Sequence, residues 1–189
     1  MYMNIDKFYK QTTIPAPVVD YKTVWNIDPK DPADSNPRWL TYPKDSKIWN
    51  DDISNKLKDV GLQPRLIRVF RWKPNSAFPW HIDGLIDEIT QFAINWVYEG
   101  SGIIQWNSSL DLPKPLKHNY HLAYGTLASN INDNFEVEAL GHGCIVNTTI
   151  PHRVLNLSDV HRITVSIQFG KDLTYNETIE RLKSCSFVE

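Results

Sequence analysis

The 189-residue sequence predicts a mainly β fold, a sandwich or barrel-like roll with helices at its flanks. Three observations lead there. From residue 65 onward, about eight short runs rich in β-branched and aromatic residues are separated by Gly, Pro, Asn and Asp. No helical period interrupts them. The last run, RITVSIQF at 162–169, alternates polar and apolar residues, as a strand with two different faces requires. A chain of this length can bury a core without disulfides, so one domain is expected over 1–189, with an arm at 1–45 and the β core at 65–170.

Residues 1–45 contain IPAPVV and DPKDPADSNP. Proline lacks a backbone donor and aspartate favours turns, so an irregular arm wrapped on the domain is expected. Val18, Val19, Trp25 and Trp39 argue against disorder there. In SKIWNDDISNKLKDVG, residues Trp49, Ile53, Leu57 and Val60 share one helical face. Asp45 or Ser46 is the expected cap at its start and Gly61 its stop. The strand runs that follow are RLIRVFRW, QFAINWVY, GIIQW, NYHLAYGTL, FEVEAL, CIVNTT, RVLNL and RITVSIQF. A closing helix is expected at TYNETIERLKSC, where Thr174 and Glu177 have capping-box spacing and Ile179 and Leu182 form an apolar edge.

Twenty Lys and Arg against 22 Asp and Glu leave a net charge of −2. No long-range field gathers a polyanion, which disfavours nucleic acid as a partner. Cys144 and Cys185 have no metal-type spacing and suit a reducing compartment. The N-terminal residues lack a signal-peptide-like apolar segment, and no run has the length of a membrane span, so a cytoplasmic location without a membrane partner is expected.

The chemistry concentrates in FPWHIDG. In an extended strand residues i and i+2 point to one face, so His81 and Asp83 can bind one ion from one side. A second imidazole would complete a two-histidine, one-carboxylate site, the facial arrangement that leaves positions open on iron(II). By itself an HxD tripeptide is a weak signal. His152, in NTTIPHRVLN at a turn between two apolar runs, is the preferred third ligand. Its competitors are less suited: His118 and His121 fall in a polar loop and the strand after it, and His142 lies between glycines. His161 precedes Arg162 and would point away from a site into which Arg162 points.

On RITVSIQF, Arg162, Thr164, Ser166 and Gln168 share a face. That face either binds an anion, for which arginine's fork suits a carboxylate, or is simply solvated, and the strand alone favours solvation. Arg68 and Arg71 pose the same choice between an anionic substrate and exposed strand charge. Trp80, Trp96 and Trp106 are candidates for a substrate mouth, with core packing the commoner role.

Taken together, HIDG at 81–84, GHGCIVNTTIPHRVLN at 141–156 and RIT at 162–164 resemble the iron(II)- and 2-oxoglutarate-dependent oxygenase superfamily. Its HxD…H…RxS pattern recurs here over about residues 65–170, with Thr164 in the serine place. The resemblance implies a double-stranded β-helix, a jelly-roll and cupin-like core, with the first helix packed outside the larger sheet. It implies iron(II) on His81, Asp83 and His152, and the far carboxylate of 2-oxoglutarate on Arg162 and Thr164. Asn95 occupies a strand where such enzymes often place a polar co-substrate contact, and a structural asparagine is an equal reading. The implied activity uses O2 to hydroxylate a peptide side chain or small molecule, with release of succinate and CO2. Aspartyl/asparaginyl hydroxylases often lack the carboxylate ligand, so Asp83 weighs against that subgroup. The alternative is a cupin-like metal-binding protein or enzyme that does not use 2-oxoglutarate. A non-catalytic module is disfavoured, since two buried imidazoles and a carboxylate without a metal are costly to maintain.

Overall fold

Eight strands of the chain pair as one long antiparallel ribbon folded back on itself, visible in a computed structural model. The structure describes residues 5–21, 38–43, 45–78, 80–83, 91–107, 135–138, 143–169 and 173–189. In chain order the strands are β1 (Tyr9–Thr12), β2 (Arg38–Tyr42), β3 (Pro64–Trp72), β4 (Ser76–Ala77), β5 (Phe92–Glu99), β6 (Ile103–Trp106), β7 (Phe135–Glu138), β8 (Gly143–Asn147), β9 (His152–Asn156) and β10 (Arg162–Phe169). The helices are α1 (Asp51–Asp59) and α2 (Tyr175–Ser184).

Strand β3 pairs with β10, β4 with β9, β5 with β8 and β6 with β7. Successive pairs alternate between two sheets, a six-stranded one ordered β1-β8-β5-β10-β3-β2 and a four-stranded one ordered β4-β9-β6-β7. A ribbon nested in this way is the double-stranded β-helix, so the expected jelly-roll class is the observed one. The expected run NYHLAYGTL lies outside the described residues, as does Trp25.

The N-terminal arm differs from the irregular wrap that its prolines suggest. It supplies both outer strands of the larger sheet, β1 against β8 and β2 against β3. Pro15, Pro17 and Pro43 flank these strands without entering them, so they cost no ladder hydrogen bond. The first helix also starts later than expected. Asn50, and neither Asp45 nor Ser46, caps it, its Oδ1 accepting from Ile53 N at 3.0 Å. Trp49 is fixed outside the helix because its Nε1 donates to the Pro15 carbonyl at 2.8 Å. Gly61, at φ 77°, ends the turn as expected. Helix α2 carries the expected capping box, Thr174 with Glu177.

The two faces of the larger sheet have different tasks. Its outer face carries Ile67, Val69, Ile94, Ile145, Val165 and Ile167. Leu57 of α1, together with Ile179 and Leu182 of α2, covers them, which places α1 outside the larger sheet. Full burial of one such aliphatic side chain stabilises by about 1.5–3 kcal/mol, so this layer dominates cohesion. Inside the roll, Phe8, Ile104, Trp106, Cys144 and Val146 form a smaller cluster that plugs part of the space between the sheets. The remainder is the pocket described next.

Candidate metal centre

Hydrogen bonding between the two sides of the ribbon sets the histidines. Beyond the β4–β9 pairing, His81 N donates to the His152 carbonyl at 2.9 Å and His152 N donates back to the His81 carbonyl at 2.8 Å. Residues exchanging both bonds stand directly opposite on one face, and their ring centroids are 4.4 Å apart. Asp83, two residues on, returns to that face, its backbone N donating to the Thr148 carbonyl at 3.3 Å. Its Oδ1 lies 3.5 Å from His81 Nε2 and 4.0 Å from His152 Nε2. One ligand atom from each of the three residues lies within 4.8 Å of the others, so the group could hold a metal ion.

The surroundings suit metal ligation. His152 Nδ1 is 3.0 Å from the Ile150 carbonyl, which can only accept, so the proton sits on Nδ1 and the Nε2 lone pair faces Asp83. Burial, reinforced by the neighbouring His81, pushes the His152 pKa down to about 4 and keeps the ring neutral, the state a metal requires. Phe78 stands edge-on to His81 at 4.6 Å and braces its ring. The imidazoles are buried, while the Asp83 side chain is 22% exposed and marks the open side.

Arg162 and Thr164 line the same pocket. Arg162 is 1% exposed, and neither its Nε nor Thr164 Oγ1 has a hydrogen-bond partner among the described residues. Burial pushes the Arg162 pKa down to about 10, opposed in part by Cys144, so the guanidinium stays charged at neutral pH. Cys144 does not neutralise it, because burial raises that thiol to about 12. Two glycines make room for the arginine. A Cβ on Gly102 would lie 2.0 Å from the Leu155 carbonyl oxygen and 3.3 Å from Arg162 Cδ. Gly100, at φ 73°, would bring a Cβ to 2.9 Å from Arg162 Cα.

The structure thus brings His81, Asp83, His152, Arg162, Thr164 and Asn95 to one pocket. The polar face of β10 points inward, against the solvation that the strand alone favours. His161 stays apart and contacts Arg71 at 3.0 Å. His118, His121 and His142 lie outside the described residues. The tryptophan candidates for the mouth fall elsewhere. Trp96 belongs to the outer core, against Trp49 at 5.7 Å, because even-numbered residues of β5 face the helices. Trp106 plugs the inner cluster, and Trp80 is buried beneath the Arg153 guanidinium, 4.8 Å from its ring. Sequence reasoning missed Trp39, Phe70, Trp72 and Phe78, which form the aromatic wall. For two of them the signal was available, since Phe70 and Trp72 share parity with Arg68 on β3.

No protein-family model matches the chain, and no curated protein matches it. Among solved structures, the capsular polysaccharide assembling protein CapF from Staphylococcus aureus is similar over 55% of this chain and 24% of CapF, at 16% identity and a TM-score of 0.37. Oxalate oxidase matches over 57% of this chain and 42% of its own, at 14% identity and a TM-score of 0.37. A cupin superfamily protein from Desulfitobacterium hafniense matches over 70% and 78%, at 7% identity and a TM-score of 0.37. The chain spans less than half the length of CapF and of oxalate oxidase. Likeness of this extent assigns neither activity nor ligand, and the jelly-roll class rests on the chain's own strand pairing. Among the described residues no helix is long and apolar enough to cross a membrane.

Proposed function

We propose that the chain is an iron(II)- and 2-oxoglutarate-dependent dioxygenase that hydroxylates a peptide side chain or a small molecule. The observation that carries this reading is Arg162, a buried cation with an unpartnered Nε beside the unpartnered Thr164 Oγ1, on the wall of the pocket that holds the two histidines and Asp83. Burying an unpaired ion costs roughly several kcal/mol. A dicarboxylic 2-oxoacid offsets that cost, since one end can chelate a metal while the other gives Arg162 a bidentate carboxylate.

In this reading His81, Asp83 and His152 would hold the ion, and the Ile150 carbonyl keeps His152 in the ligating tautomer. Iron(II) with bound co-substrate supplies the oxidising chemistry, in which substrate, O2 and 2-oxoglutarate become hydroxylated product, succinate and CO2. Arg162 and Thr164 would orient the far carboxylate, and Asn95 would offer a further polar contact. Trp72 packs on Phe78 at 4.8 Å and Phe78 on His81 at 4.6 Å, an apolar wall that would keep water from that side of the pocket.

The test is anaerobic difference absorbance on adding iron(II) and 2-oxoglutarate. The expected result is a visible charge-transfer band that disappears in Asp83→Ala and His152→Ala. A folded, iron-loaded protein without the band would instead support a cupin-like metal protein that does not use 2-oxoglutarate.

A further inference from the structure

We propose that Arg68 anchors an anionic group of the substrate, and that this group is a carboxylate carried next to an aromatic or apolar stem. The inference rests on the reading of the pocket given above. It starts from the parity of β3. Arg68 pairs with Ser166 and Arg71 with Ile163, so the two arginines lie on opposite faces of the sheet. Arg71 meets His161, whereas Arg68 faces the interior of the roll.

A row of side chains crosses four strands there: Thr41 of β2, Arg68 of β3, Ser166 of β10 and Asn95 of β5. Ser166 and Asn95 line the pocket together with Asp83. Arg68 Nε is buried and has no hydrogen-bond partner among the described residues. Burial lowers the Arg68 pKa and the Asp83 carboxylate opposes that shift, which puts the guanidinium within electrostatic reach of the metal centre. Once Asp83 ligates a cation its charge is shared with the ion, and Arg68 loses its countercharge.

The co-substrate cannot supply the missing anion while it is held at Arg162. Its far carboxylate is engaged at Arg162 and its other end at the metal, and the backbone of Arg162 stands about 13 Å along β10 from Ser166, the cross-strand partner of Arg68. A second anion is needed, and substrate is the remaining occupant of the pocket. The adjacent row on the same face, Trp39, Phe70 and Thr164, lies about 7 Å away. Trp39 is 45% exposed and lines the pocket, and Phe70 stacks on Trp72 at 5.9 Å. An anion at Arg68 therefore has an aromatic surface beside it for its stem. A single guanidinium flanked by a neutral hydroxyl and amide matches a monoanionic carboxylate better than a dianionic phosphate.

The probes are 3-phenylpropionate, its amide and phenyl phosphate, titrated calorimetrically into the full chain with anaerobic iron(II) and saturating 2-oxoglutarate. The carboxylate is expected to bind about tenfold or more tighter than the amide, the scale of one charge-assisted hydrogen bond. Arg68→Met, which keeps the apolar stem, is expected to erase that preference and leave the visible iron–2-oxoglutarate band unchanged, and Arg68→Lys to restore part of it. Thermal melting by circular dichroism verifies that each variant is folded. Equal binding of carboxylate and amide overturns the proposal, as does a preference lost in Arg162→Met and kept in Arg68→Met. Tighter binding of phenyl phosphate overturns the carboxylate class. If the native protein shows no visible band yet keeps an Arg68-dependent preference for the carboxylate, the dioxygenase reading fails and the anion anchor stands.

Discussion

The two faces of β10 are buried alike and built from opposite chemistry. Ile163, Val165, Ile167 and Phe169 meet the helices and are at most 1% exposed, while Arg162, Thr164 and Ser166, interleaved with them, are 1%, 4% and 7% exposed and meet the pocket. Burial therefore does not separate core from site in this molecule; the satisfaction of polar groups does. On the outer face every side chain is apolar and every contact is cohesive. On the inner face the Arg162 Nε and the Thr164 hydroxyl lack partners among the described residues, a cost that folding alone does not offset.

Substitutions on each face should break this contrast in different ways. The largest effect is expected from Asp83→Ala, which should abolish 2-oxoglutarate turnover coupled to substrate. It should also remove the rise in melting temperature expected of the native chain on adding iron(II), a rise equivalent to about 2.7 kcal/mol at a hundredfold excess over Kd. Unchanged metal-induced stabilisation in that variant would take Asp83 out of the site. Next comes Ile167→Ala on the outer face, expected to cost about 2–5 kcal/mol in chemical denaturation while the surviving folded protein binds 2-oxoglutarate normally. A parallel loss of co-substrate affinity would show that the faces are not independent.

Arg162→Met should do the reverse. Its 2-oxoglutarate affinity is expected to fall by a factor of about ten to a hundred, as for loss of a charge-assisted bond, with the unliganded protein as stable as the native one or more so. Marked destabilisation without ligand would mean that Arg162 is satisfied structurally. The smallest effect belongs to neither face. Thr174→Ala removes the cap of α2 and should cost about 1 kcal/mol, read as a lower denaturation midpoint with an unaltered visible band.

Much of this was legible before any coordinates. RITVSIQF gave its full strand, 162–169, because its alternation is unbroken, and Thr174 with Glu177 marked α2 through chemistry local to one turn. HIDG placed His81 and Asp83 on one side of a strand from spacing alone. The outer strands were harder to see: β1 and β2 sit among prolines, and each exists because an unpaired sheet edge accepts it. The start of α1 was misplaced because Asn50 competes with equally good caps upstream, and only the docking of Trp49 on Pro15 decides among them.

By itself the sequence determined period, parity and the cap of α2, and so a roll of strands and the placing of His81 and Asp83 on one side; the jelly-roll class was what the family resemblance implied. These depend on residues a few positions apart, whose relation is set by backbone geometry. Only the tertiary structure decided which face of β10 is inner, that Arg68 lies on the inner face of the sheet and Arg71 on the outer, and that Trp39 reaches the pocket. Alternation says that two faces differ, and it takes the helices packed on one of them to say which is which.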